Sequence, residues 1–118
     1  MRGVKVDNDA KFAKLPLLNI KGRAENIIIG KAIILGEIDL RNRENGKIIL
    51  EDDCKIEGNC RFVSARNGTI KIGKGSTITT GAIINGGADV NIGRNCIFGP
   101  RVIINANDHI FKKNILIK

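Results

Sequence analysis

Aromatic residues are nearly missing from this chain: it has four Phe, no Trp and no Tyr among 118 residues. A platform that stacks single-stranded bases needs several exposed rings, so that kind of nucleic-acid binder is excluded. Apolar runs last only a handful of residues. A bilayer span needs roughly 20, so no membrane span is expected. No charged-then-apolar N-terminal segment ending in small residues is present, which argues against export and for a cytoplasmic protein. The three cysteines include no Cys-x-x-Cys pair. An odd count without export fits a reducing compartment and buried thiols, and no metal site is expected. Two Pro, 14 Gly and abundant Ile argue against both disorder and long helices.

What the chain does have is a repeat, which organises most of its length. Aliphatic residues recur at six-residue steps: Ile29 and Leu35; Leu50, Ile56 and Phe62; Ile72, Ile78 and Ile84; Ile92, Phe98 and Ile104. The triplet starts at 29, 50, 72 and 92 are 21, 22 and 20 residues apart. A helix would need spacings of three and four, and strict alternation does not persist. Three six-residue faces plus a few extra residues per turn describe a solenoid of triangular coils.

Four residues after each aliphatic one, a tight corner should admit only small inward side chains. Ile33, Cys54, Cys60, Ser76, Ala82, Ala88, Cys96 and Val102 stand there, and only Asp39, Arg66 and Asp108 break the rule. Gly30, Gly36, Gly73, Gly93 and Gly99 directly follow the aliphatic residue, where the turning backbone suggests positive φ. Asn45-Gly46, Asn67-Gly68 and Asn85-Gly86 read as turns behind each third face. The loops at 41–47, 66–71 and 86–91 should therefore stack at one corner, and one further coil puts 105–113, with the single histidine His109, in the same column. Residues 1–25 lack the repeat and read as an N-terminal cap on a β-helix domain spanning 26–118.

The aliphatic-Gly-x-x-small-x pattern resembles the hexapeptide-repeat signature of left-handed parallel β-helices, from Ile27 to Asp108. That resemblance implies an all-β left-handed parallel β-helix of about four coils. Ile83 to His109 also looks like the stretch leading to the catalytic histidine of the maltose and galactoside O-acetyltransferases. The matched positions are Val90, Ile92-Gly93, Asn95-Cys96, Phe98-Gly99-Pro100, Val102 and then His109, without a gap. By resemblance, His109 is the general base that takes a proton from an acceptor hydroxyl, which then attacks the thioester of acetyl-CoA. Asp108 or Asn107 would orient the ring, and Asn85, Asn107, Asp108 and Arg66 are the expected substrate contacts. The acceptor is a sugar or polysaccharide hydroxyl, and the expected assembly is a homotrimer with sites between adjacent subunits.

Departures are specific. Asn85 stands where the family places a sugar-binding Asp, Thr80 where it places an Asn, and Ile110 where a Pro usually follows the histidine. The later coils that hold much of the CoA site have no counterpart after Lys118, so a C-terminally truncated form is expected. The alternative is a non-enzymatic β-helix, a scaffold or self-assembling module. The net charge is +8, and Arg41, Arg43, Lys47, Arg61, Arg66 and Lys71 fall near the loop corner. Stacking them would suit an acidic sugar or a phosphorylated donor. Without aromatics or a reading helix, it does not point to nucleic acid.

Overall fold

The computed structural model describes residues 3–106, which form a parallel β-helix of the left-handed type with three flat faces. The first face contains β1 (Lys5–Val6), β4 (Ile27–Ile29), β7 (Lys47–Leu50), β10 (Thr69–Ile72) and β13 (Val90–Ile92). The second contains β2 (Lys11–Phe12), β5 (Ile33–Ile34), β8 (Lys55–Ile56), β11 (Thr77–Ile78) and β14 (Ile97–Phe98). The third contains β3 (Leu17–Ile20), β6 (Ile38–Asn42), β9 (Cys60–Ser64), β12 (Ile83–Gly86) and β15 (Ile103–Ala106). A single 3-10 turn at Ala24–Asn26 is the only helical element among the described residues. No helix there is long and apolar enough to cross a membrane.

Each strand pairs in parallel with its counterpart one coil away, so like positions stack. On the second face, for example, Phe12, Ile34, Ile56, Ile78 and Phe98 form one continuous inward column. Side chains alternate across each strand, and the inward set, including Ile29, Leu50, Phe62, Ile72 and Ile84, is almost wholly excluded from solvent. Burying an aliphatic side chain of this size contributes about 1.5–3 kcal/mol, enough to hold strands of only two residues in place. The small corner positions Cys54, Cys60, Ser76 and Ala82 are also buried.

There are five coils rather than about four, because the segment expected to be a cap is itself the first coil. β1, β2 and β3 each add a strand to one face. Val6, Phe12 and Leu18 are six residues apart and pack, half-buried, against the core of the second coil. The segment thus covers the end of the core by continuing the backbone ladder.

Three further expectations are corrected. In the second coil Ala32 and Ile34 point inward, whereas Ile33 and Leu35 are exposed. The corner after Ile29 is one residue shorter than the corner after Leu50, which moves the inward phase back by one. Ile38 then takes the inward position and Asp39 faces out, so Asp39 is no exception to the rule. Second, positive φ does not fall on the glycine that opens each corner. It falls two residues later, at Asp53, Gly75 and Asn95 at one corner and at Gly81 and Arg101 at the next. The opening glycine answers a different constraint, the closeness of the neighbouring coil: a Cβ on Gly73 would lie 2.5 Å from the carbonyl oxygen of Gly93. Third, Asn85-Gly86 is not a turn. Both residues lie in β12, paired with Asn105 and Ala106, and the chain bends after them.

Candidate functional site

The loops after the third face stack at one corner, as their spacing predicts. The Arg43, Asn45 and Lys47 amides donate to the carbonyls of Ser64, Arg66 and Gly68, and Ala65 N–H donates to Gly86 one coil further on. Two of these bends are closed by tight turns, in which Gly46 N–H donates to Arg43 and Gly68 N–H to Ala65. Glu44 and Arg66 take positive φ at the first turn position, 56° and 57°. A non-glycine residue tolerates that conformation only where neighbours fix it. Here the Glu44 carboxylate accepts the Arg66 N–H at 2.7 Å, tying one bend to the next.

Polar side chains reinforce the column. Asn45 Nδ2 donates to Asn67 Oδ1 at 2.9 Å, and Asn85 Nδ2 donates to Asn105 Oδ1 at 2.7 Å. Asp89 accepts the Thr69 N–H at 2.9 Å. Inside the bends, buried Asn42 donates to the Arg23 carbonyl and Ser64 to the Gly68 carbonyl, so these buried polar groups are partnered.

Of the expected site residues, Arg66 and Asn85 belong to this corner in adjacent coils. Arg66 lines a shallow depression of about 210 Å³ with Asn67, Gly87 and Asp89. Asn85 is on the outward side of β12 and its side chain is engaged with Asn105, so the structure gives the two no direct bond. Asn105 is a polar group the sequence reading missed, although it stands 20 residues after Asn85, one coil on. His109, Asn107 and Asp108 lie outside the described residues.

The basic cluster is more neutralised than its sequence suggests. Arg41 forms a two-pronged bond to Asp39, at 3.1 and 3.0 Å, which raises its pKa further. Arg61 approaches the same carboxylate at 3.9 Å, and Lys71 lies 3.5 Å from Glu51. Arg43, Lys47 and Arg66 have no carboxylate within ion-pair distance among the described residues, so the net positive potential at the corner comes from them.

The three thiols are free and in the expected inward positions, with Cys54 and Cys60 buried and Cys96 half-buried. Burial pushes the Cys54 thiol up to about 12, and Glu51, Asp52 and Asp53 nearby add to the effect. A thiol so disfavoured as thiolate is structural, not nucleophilic. Among the described residues no group of three His, Cys, Asp or Glu side chains could hold a metal ion.

A larger depression among the described residues lies elsewhere. A groove of about 670 Å³ runs along the outward side of the first face toward its corner with the second, floored by Ile28 and Ile49 and edged by Lys71, Lys74 and Arg94. No protein-family model, curated protein or solved structure matches this chain.

Proposed function

We propose that this chain is a CoA-dependent O-acetyltransferase, moving an acetyl group from acetyl-CoA to a hydroxyl of a sugar or polysaccharide. The reading is carried by the ungapped resemblance from Val90 to His109. It is supported by a coil ladder that stays in register through Ala106, three residues before His109. The β-helix itself is compatible with that activity and with others.

In the proposed reaction, neutral His109 removes the proton of the acceptor hydroxyl as its oxygen attacks the thioester carbonyl. The tetrahedral intermediate collapses to the acetyl ester, and the CoA thiolate leaves and takes up the proton from the imidazolium. An imidazole with an ordinary pKa near 6.5 suits that shuttle. Asp108 or Asn107 orients the ring, and Arg66 and Asn85 contact the acceptor from the loop corner. The working form is a homotrimer in which a neighbouring subunit completes each site.

The test is acetyl-CoA consumption, followed by release of free CoA thiol with sugar and polysaccharide acceptors, for the wild type and His109→Ala. The expected loss in kcat/KM is about 10²–10⁴-fold, the usual contribution of a general base. Calorimetry should show both proteins binding acetyl-CoA. Equal rates in the two proteins would remove His109 from the chemistry. Absence of acetyl-CoA binding by the wild type, with concentration-dependent filaments, would favour a scaffold.

A further inference from the structure

We propose that the groove on the first face is a binding site for a small phosphorylated sugar, separate from the loop corner and independent of the acetyl-transfer reading. At about 670 Å³ it falls within the range of small-molecule sites and is far larger than a bare phosphate needs.

Its two ends differ in chemistry because of the coil register. The outward column of the first face reads Ile28, Ile49, Lys71 and Asn91 in successive coils. At the adjoining corner, Asp52, Lys74 and Arg94 occupy successive coils, with Gly75 N–H donating to Asp52 and Asn95 N–H to Lys74. Strand spacing puts neighbours in these columns about 5 Å apart along the axis. One end of the groove is therefore aliphatic with a carboxylate beside it, and the other end is cationic.

The charges at the cationic end are available. Glu51 Oε1 accepts the Lys74 backbone N–H at 3.2 Å, and Oε2 lies 3.5 Å from the Lys71 ammonium, so Glu51 compensates Lys71 in part. The Lys74 ammonium and the Arg94 guanidinium have no carboxylate within 4 Å among the described residues. Two unpaired cations one coil apart, with Lys71 beside them, can share the oxygens of one phosphate. At the other end, Asp52 Oδ1 accepts the Lys31 N–H at 2.8 Å, which leaves Oδ2 to accept from ligand hydroxyls. Between the ends, the half-buried side chain of Ile49 offers a flat surface for the C–H face of a ring. An anion at one end, an aliphatic floor and a hydroxyl acceptor at the other together describe a sugar phosphate.

The test is calorimetric titration of the full chain with glucose 1-phosphate, glucose 6-phosphate and ribose 5-phosphate, alongside inorganic phosphate and glucose. Three proteins are compared: wild type, Lys74→Glu/Arg94→Glu and Asp52→Asn. In Asp52→Asn, Oδ1 still accepts the Lys31 N–H, while the oxygen left for ligand hydroxyls becomes an amide donor. Circular dichroism and urea unfolding check that each variant folds. At least one sugar phosphate should bind the wild type saturably and about ten-fold or more tighter than phosphate or glucose. The double charge reversal should weaken it by at least about ten-fold, the loss expected for one charge-assisted bond. Asp52→Asn should weaken the sugar phosphate while leaving the weaker phosphate binding within about two-fold. The proposal is overturned if no sugar phosphate binds saturably, if the charge reversal changes nothing, or if phosphate alone binds as tightly as its sugar esters.

Discussion

Alanine at three equivalent glycines should give three different stabilities, because only the neighbouring coil differs. Gly30, Gly73 and Gly93 each open the corner after the first face, and none has positive φ, so alanine is allowed by the backbone at all three. At Gly73 the new methyl would meet the Gly93 carbonyl oxygen at 2.5 Å and the Ile92 carbonyl oxygen at 2.6 Å. Both are backbone atoms and cannot swing aside. They are also the acceptors for Gly73 N–H, at 2.8 Å, and for buried Ser76 Oγ, at 2.6 Å. Forced expansion costs about 1–3 kcal/mol, and weakening these two bonds adds about 1 kcal/mol each. Against this stands an unfolded-state entropy gain of about 0.4–1 kcal/mol. The net loss for Gly73→Ala is then roughly 2–4 kcal/mol. At Gly30 the nearest atom, at 2.5 Å, is the Asp52 carboxylate oxygen, the end of a side chain that can rotate away at the cost of its bond to Lys31 N–H. A loss of about 1 kcal/mol is expected there. At Gly93 alanine meets nothing closer than 3.8 Å among the described residues, which therefore set no cost against the entropy gain. Urea unfolding followed by circular dichroism resolves this order. With a slope of about 2 kcal/mol per molar urea, Gly73→Ala lowers the midpoint by about 1–2 M while Gly93→Ala leaves it level or slightly raised. Equal midpoints for these two variants would refute the claim that coil-to-coil contact sets the glycine requirement.

Two other perturbations follow from the core. Phe62 is the largest fully buried side chain among the described residues, and Phe62→Ala should cost about 3–5 kcal/mol in the same unfolding assay. Cys54 keeps its proton in the folded state up to about pH 12, whereas the unfolded thiol ionises near 9. Its contribution is therefore intact below pH 9 and lost as pH rises from 9 toward 12. Urea midpoints should fall more steeply across that window in the wild type than in Cys54→Ala, and parallel curves would contradict the burial assigned to this thiol.

From Leu50 to Ile92 the fold can be read from the sequence, because within each coil the inward aliphatics keep unbroken six-residue steps with a small residue four positions after most of them. At Ile33-Ile34-Leu35 three adjacent aliphatics make the phase degenerate. The deciding fact, a corner shortened by one residue, is visible only in the pairing of Ile34 with Ile56. The first coil carries the same signal: Val6, Phe12 and Leu18 stand at six-residue steps, with Ala10 and Pro16 four residues after the first two. Its irregular spacing to Ile27, bridged by the 3-10 turn, hides it. The loop column was legible from the Asn-Gly spacings, yet Asn85-Gly86 shows that a turn dipeptide can yield to strand pairing on both sides. The groove was not legible. Lys71, Lys74, Arg94 and Asp52 look like scattered surface charges until the coil register aligns them, and the ion pairs that quench Arg41 and Lys71 depend on the same register.

The side-chain-to-backbone bonds that tie the corners together, such as Lys31 N–H to Asp52, Arg66 N–H to Glu44 and Thr69 N–H to Asp89, span 20 to 22 residues and reach one coil and no further. Contacts of that range make the molecule behave mechanically like a stack of rings held by nearest-neighbour links. Under tension applied along its axis, such a stack yields from an end, one ring at a time. Each release frees the 20 to 22 residues of a single coil. At about 3.4 Å per extended residue, the contour grows in steps of about 7 nm, so the length of the sequence repeat is also the step of its unravelling.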